Sequence, residues 1–155
     1  MREKPQQKMR IWAMFCHFSA LLAWILLFSL VFIGIPFYLP LNILLPLIIW
    51  QFNKAKSPWI DFQGKEALNF QLSLTFYTLI IIIISLLVML FICAIAVTNK
   101  RAGDEMKMVL DGLISVWFLI TTIMLLLQLF LVNFAAFKAY HGDYYRYPLT
   151  IRVLR

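Results

Sequence analysis

Charged side chains are scarce in this chain of 155 residues, since Asp, Glu, Lys and Arg together make up 14% of it. An ordinary soluble domain carries about 25% charged residues, because most of its surface must be hydrated. Here 63% of the residues are hydrophobic. The composition therefore excludes an ordinary soluble domain and predicts a module whose apolar faces are solvated by lipid.

Cysteine, histidine and glycine are also rare, with two, two and five copies. Cys16 and Cys93 lie in apolar runs, where a thiol behaves as a small hydrophobe, and they have no metal-ligand spacing. No glycine-rich loop precedes a helix as phosphate binding requires, and no serine lies in a nucleophile elbow. We therefore expect no cofactor, no metal and no enzymatic activity.

Long uncharged runs are what the sequence does contain. Residues 11–53 include no Asp, Glu, Lys or Arg, and this run is about twice the length of about 20 residues that a helix needs to cross a bilayer. A Gly- and Pro-containing break at residues 34–40 divides it into spans at about 11–33 and 37–53. The second span is short and contains two prolines, so it either crosses fully or is re-entrant.

Two longer apolar segments follow, at about 67–98 and 108–137, and a polar turn over residues 99–107 connects them. The predicted fold is all-α: a polytopic transmembrane helical bundle whose four spans form two helical hairpins. Residues 1–155 are expected to form a single membrane domain.

The segment before the third span has the signals of a helix start. Ser57 can cap a helix whose first residue is Pro58, and Asp61 and Lys65, four residues apart, can pair on its polar face. The aromatic residues Trp59 and Phe62 suit the lipid boundary. We predict a short interfacial helix at about 58–66 that leads into the third span.

The distribution of Lys and Arg predicts the orientation, because basic residues are enriched on the cytoplasmic side. Eleven of the 14 flank the predicted spans on the side of both termini, and three lie in the turn after the third span. We expect both termini to be cytoplasmic, in a plasma (bacterial inner) membrane or a related energy-transducing membrane. The basic residues are scattered over separate segments, which argues against nucleic-acid binding.

Polar side chains inside or beside apolar segments are the candidate functional residues, because lipid offers them no hydrogen-bond partner. Two interpretations are open: they bond to neighbouring helices, or some of them line a hydrated path. The candidate interaction or structural residues are His17, Asn42, Asp61, Gln63, Lys65, Glu66, Asn69, Gln71, Ser73, Gln128, Asn133, Tyr145, Arg146, Tyr147, Pro148 and Arg152.

The basic, aromatic tail at residues 138–155 combines tyrosines with Lys and Arg, a composition typical of a membrane interface. It is either a simple interfacial anchor or an ordered segment that docks against residues 59–66 or against a partner.

Two motifs carry a family resemblance: QGKEALNFQ at residues 63–71 and YRYPLTIR at residues 145–152. Together with residues 17–21 and 46–50, they resemble a bacterial family of small four-helix membrane proteins. That family is related to the Tic-twenty import component of the chloroplast inner envelope and includes magnetosome membrane protein F. The resemblance implies the four-helix architecture and a role in membrane assembly, translocation or organelle biogenesis.

The sequence thus predicts a non-enzymatic membrane scaffold, assembly factor or accessory subunit of a membrane protein complex. Its expected partners are membrane lipids and other membrane proteins or further copies of itself. The alternative is a small channel or protein-translocation component. In that interpretation a hydrated path is lined by Asn69, Gln71, Ser73, Gln128 and Asn133.

Overall fold

Four α-helices make up most of the chain in the computed structural model, which describes residues 5–32, 41–98 and 102–154. A short 3-10 helix, Lys54–Lys56, follows the second of them. The α-helices are α1 (Gln7–Phe32), α2 (Leu41–Asn53), α3 (Pro58–Thr98) and α4 (Ala102–His141). The predicted all-α class is confirmed for these described ranges, which contain no β-strand.

Two helical segments, Pro58–Ile95 and Met106–His141, are long and apolar enough to cross a membrane. By contrast, α2 has 13 residues and rises about 20 Å, less than the hydrocarbon thickness of about 30 Å. The break predicted at residues 34–40 lies outside the described residues. Full crossing by residues 37–53 therefore stays a prediction.

Helices α3 and α4 both extend further than the sequence analysis predicted. Residues 58–66 are not a separate interfacial helix, because α3 continues through them to Thr98 and no proline interrupts it after Pro58. Likewise, α4 begins at Ala102, so the polar segment at 102–107 is helical instead of a turn. Its Glu, Met and Lys are good helix formers, and residues 99–101 lie outside the described residues.

The start of α3 has the predicted cap. The Trp59 backbone N–H donates to the Ser57 hydroxyl oxygen over 3.2 Å, and the Asp61 N–H donates to the Ser57 carbonyl over 3.1 Å. Pro58 takes the first helical position, where its missing N–H costs no hydrogen bond.

The chain divides into two compact units. The first contains the described residues up to Leu74 and those from Leu129 onward, with a core in two clusters. One cluster joins Ala13 of α1 to Trp59 and Ile60 of α3 and to Ala139 of α4. The other comprises Phe70, Val132, Ala135 and Tyr147. Small residues on α1 and α4 allow these helices to pack closely.

The second unit, Thr75–Gln128, exposes most of its large apolar side chains. Within it, the Trp117 indole N–H donates to the Ser85 hydroxyl over 2.8 Å, so a polar pair joins its two helical segments. An apolar cavity of about 300 Å³ lies beside this pair and is lined by residues such as Met89 and Leu113. Exposed apolar helices of this kind suit contact with lipid or with other transmembrane helices.

Candidate polar network beneath the C-terminal tail

Three side chains from distant parts of the sequence meet in the interior of the first unit. His17 Nδ1 lies 2.9 Å from the Tyr147 hydroxyl, and His17 Nε2 lies 3.1 Å from Gln63 Oε1. The Gln63 amide nitrogen donates to the Asp143 carbonyl over 2.9 Å. All three side chains are buried, so α1, α3 and the tail are joined by hydrogen bonds that water does not compete for.

The network fixes the tautomer of His17. The Asp143 carbonyl can only accept, so the Gln63 NH2 group must face it, which turns Gln63 Oε1 toward the imidazole. His17 Nε2 must then carry the proton and donate. Nδ1 is left as an acceptor, and the Tyr147 hydroxyl donates to it. A neutral histidine satisfies every group in this chain of hydrogen bonds.

Tyr147 is the central tail residue of the network. Its ring stacks on Phe70 with 4.1 Å between centroids and 8° between planes, and Tyr145 meets it edge-on at 5.2 Å. Burial raises the pKa of the Tyr147 phenol well above its ordinary value, and the neighbouring Tyr145 and Glu66 add to the effect. Burial also raises the pKa of Tyr145. Tyr147 therefore remains a neutral hydrogen-bond donor.

The raised pKa of Tyr147 predicts a loss of stability in alkali. A free tyrosine has a pKa of about 10, so the stability from the neutral buried phenol is fully present below that pH and is lost as pH rises through the higher folded-state pKa. Thermal melts in detergent at about pH 8 and pH 11 should show a larger loss in the wild type than in Tyr147→Phe. The exposed Tyr144→Phe control should behave as the wild type, and equal losses in all three would contradict the prediction.

Asn69 binds the backbone of the tail. Its Nδ2 donates to the Leu154 carbonyl over 3.0 Å, and its Oδ1 accepts from the N–H groups of Val153 and Leu154 over 3.1 and 2.8 Å. One buried amide thus satisfies three main-chain groups that belong to no helix. Because these bonds involve only the backbone, the contact fixes the path of the tail and does not depend on its side chains.

Ser73, one turn further along α3, holds the next part of the tail. Its hydroxyl accepts from the Ile151 N–H over 2.8 Å and donates to the Asn69 carbonyl over 2.7 Å. Of the two interpretations of the tail, the structure therefore shows the docked one. The docking surface extends beyond the predicted residues 59–66 to Ser73.

Glu66 is a buried carboxylate with incomplete pairing. Its residue is 5% exposed, and its Oε1 lies 3.9 Å from Arg152 Nε, which makes a loose ion pair. Its Oε2 is buried and has no hydrogen-bond partner, as is also true of the Trp59 indole nitrogen. Arg152 is therefore the cation that offsets this charge. Its ion pair with Glu66 adds to the hydrogen bonds that hold the tail on α3.

A second contact, between α2 and α3, lies at the start of the QGKEALNFQ motif. The Trp50 indole N–H donates to Asp61 Oδ1 over 2.9 Å, and Asp61 Oδ2 pairs with Lys65 over 2.7 Å, which confirms the predicted i, i+4 pair. The Trp50 ring covers Gly64 so closely that a Cβ there would overlap Trp50 Cδ1 and lie 2.7 Å from Cγ. Glycine is the residue that this approach requires.

The structure does not bring the remaining candidates into the network. Asn42 is half-buried in the first turn of α2. Gln71 and Gln128 are buried and are engaged in other interactions, while Asn133 is exposed and donates to the Leu129 carbonyl of its own helix over 2.8 Å. In the tail, exposed Arg146 lies over the Phe62 ring at 5.6 Å, and Pro148 starts a turn.

Several contributors were missed by the sequence analysis. Trp50 and Phe70 were not predicted to contact the motif or the tail, because an aromatic residue in an apolar helix carries no local sign of its partner. The backbone groups of Asp143, Ile151 and Val153 were also missed, because the identity of a side chain does not predict which partner its backbone groups bond to. The one available sign was the spacing of Asn69 and Ser73, which are four residues apart and therefore lie on one face of a helix.

No curated protein and no solved structure matches the chain. A family match covers residues 8–154, which include both motifs and every residue of the network. The chain belongs to the magnetosome magnetite crystal formation protein family.

Proposed function

We propose that this chain is a non-enzymatic membrane scaffold or assembly factor, acting in membranes where magnetite crystals form. The observation that carries the proposal is that buried polar side chains of α3 form hydrogen bonds to the C-terminal tail. Gln63, Asn69 and Ser73 bind the chain's own tail, so they stabilise an ordered cap on the helices. A protein built in this way offers surfaces for other proteins more readily than it offers a reaction centre.

The family description and the exposed apolar helices are two further observations that support the proposal. Membership connects the chain with magnetite crystal formation, and Thr75–Gln128 leaves large apolar side chains free for lipid or partner helices. The basic residues around the predicted spans support cytoplasmic termini. A plasma membrane, or a membrane derived from one, is the corresponding location.

The channel alternative has less support. Its proposed lining consisted of five side chains: Asn69, Gln71, Ser73, Gln128 and Asn133. Each of them has a hydrogen bond or another interaction within the chain. A hydrated path would instead require polar groups directed toward water.

Photo-crosslinking in native membranes tests the scaffold role. A photoreactive amino acid replaces Phe118, which is 75% exposed, and in a matched variant it replaces the fully buried Ala135. The affinity tag is placed at the N-terminus, because the tail is docked. We expect protein adducts from position 118 and none from position 135, together with an assembly larger than a monomer in mild detergent.

A solitary monomer whose position 118 reacts only with lipid would contradict the scaffold role. The connection with magnetite is tested separately in a magnetite-forming host that lacks the chain. Crystal formation should be altered there and restored by the full chain.

A further inference from the structure

Two lysines of the short 3-10 helix each lie over a tryptophan ring. Lys54 Nζ is 4.9 Å from the ring centroid of Trp50, and Lys56 Nζ is 5.1 Å from that of Trp12. Trp12 belongs to α1, so Lys56 connects the end of α2 to the beginning of α1. An ammonium group is attracted to the face of an aromatic ring, and both cations are therefore held at defined places on the first unit.

Lys56 is oriented by a second contact, with a buried amide. Its Nζ donates to Asn53 Oδ1 over 2.7 Å, and Asn53 is buried. The Asn53 amide nitrogen donates to the Ile49 carbonyl over 2.7 Å, and because that carbonyl can only accept, Oδ1 must face the lysine. The Lys56 residue as a whole is exposed. Its ammonium group is thus fixed on the protein side and accessible on the other, which lowers the entropic cost of binding an anion.

Neither lysine is paired with a carboxylate within the described residues. The described part of the first unit contains three acidic side chains, and each of them pairs with a different cation: Asp61 with Lys65, Asp143 with Lys138 and Glu66 with Arg152. The charges of Lys54 and Lys56 are therefore left without an acidic partner in this part of the chain. The chemistry that fits them is an anionic group.

The two lysines lie where the uncharged parts of α1 and α2 end. Neither residues 11–32 nor residues 41–53 include a charged side chain. The contact between Lys56 and Trp12 places the ends of these two uncharged segments side by side. Basic and aromatic residues at the border of an uncharged segment are typical of the head-group region of a membrane.

Each of the two helices also exposes a phenylalanine on the uncharged side of this border. Phe15 follows Trp12 by three residues and is 46% exposed, and Phe52 precedes Lys56 by four residues and is 78% exposed. A cation with apolar rings about one turn further into the uncharged segment matches a phospholipid, whose phosphate and acyl chains are arranged in the same order. An acidic protein segment would occupy the lysines and leave both rings in water.

We propose that Lys56 binds the phosphate of an anionic phospholipid, whose acyl chains run past the two exposed phenylalanines. Lys54, two residues away, adds to the attraction without contacting the phosphate. An anionic lipid is preferred to a zwitterionic one, because a zwitterionic head group already has a cation beside its phosphate. The proposal depends on the membrane location of the chain and not on the scaffold role.

Native mass spectrometry of the full chain, released from mild detergent, tests the proposal. Titration with phosphatidylglycerol gives the dissociation constant of the first bound lipid, and phosphatidylcholine is the zwitterionic comparison. Lys56→Gln should weaken phosphatidylglycerol binding about fivefold, the attraction of one basic residue to an anionic lipid. Lys54→Gln should weaken it less, because its charge acts from a greater distance.

Lys8→Gln is the matched control, because it removes an exposed positive charge of α1 and leaves Lys56 and its partners unchanged. It should bind phosphatidylglycerol as the wild type does. The glutamine of Lys56→Gln keeps an N–H donor for Asn53 Oδ1, so this variant is expected to keep the fold.

Three results would overturn the proposal. Equal weakening by Lys8→Gln and Lys56→Gln would mean that diffuse positive charge attracts the lipid without a defined site. Unchanged binding in Lys56→Gln would mean that the lipid binds elsewhere. Tighter binding of a polyglutamate peptide or of inorganic phosphate than of phosphatidylglycerol would mean that the lysine recognises a soluble anion. All three leave the crosslinking test of the scaffold role unaffected.

Discussion

Replacing Gly64 with alanine should lower the free energy of unfolding by about 2 kcal/mol, the cost of overpacking a close contact. A new Cβ would lie 2.7 Å from Trp50 Cγ and 2.9 Å from Trp50 Cβ. The tryptophan cannot simply rotate away, because its indole is hydrogen-bonded to Asp61 and Lys54 lies over its ring at 4.9 Å. Denaturation in mild detergent, followed by circular dichroism, measures the loss.

Gly112→Ala is the matched control, because nothing lies within 4 Å of a Cβ at that position. In an open helical site, alanine stabilises by roughly 0.5–1 kcal/mol over glycine, so the same chemical change should have opposite signs at the two positions. A double-mutant cycle with Trp50→Ala should recover part of the Gly64→Ala loss. Equal effects at Gly64 and Gly112 would show that the Trp50 contact does not restrict the site.

Asn69→Leu should release the end of the tail. Leucine has a similar volume but leaves the Leu154 carbonyl and the Leu154 N–H without their partner, while the Val153 N–H keeps its bond to the Ile151 carbonyl. Each unpaired group costs about 1–3 kcal/mol when buried, and entry of water at exposed Val153 reduces this. We expect a net weakening of docking of about 2 kcal/mol, or roughly thirtyfold in the undocked population.

Tryptic cleavage after Arg152 reports that population, because proteolysis of a locally opened segment follows its equilibrium when reclosing is fast. Asn133→Leu provides the control: it removes an amide that bonds only to its own helix and should leave the cleavage rate unchanged. Similar rates in Asn69→Leu and the wild type would mean that other contacts hold the tail.

Local features of the fold could be predicted because their physical causes act over a few residues. The Ser57 cap and the Asp61–Lys65 pair depend on spacings of one turn or less, and both are confirmed. The long apolar helices follow from composition and length. The ends of α3 and α4 were less predictable, since polar residues such as those at 102–107 can continue a helix as readily as they can form a turn.

The docked tail could not be predicted with the same certainty, because its contacts join residues far apart in the sequence. The bonds from Asn69 and Ser73 to the tail cross 78 to 85 residues, and periodicity carries no information over that distance. The restriction at Gly64 depends equally on tertiary packing, since a helical glycine ordinarily signals only a weak helix. Family resemblance pointed to both motifs, yet only the structure shows that one binds the other.

The long-range bond between Asn69 and Leu154 has a consequence for biosynthesis. A ribosome adds about 5–20 residues per second, so the 85 residues between these partners take about 4 to 17 s to make. During that interval the amide of Asn69 has no tail to bind. The nascent chain must therefore keep this part of α3 near water or the insertion machinery, and its hydrogen bonds to the tail form after the helices have been synthesised.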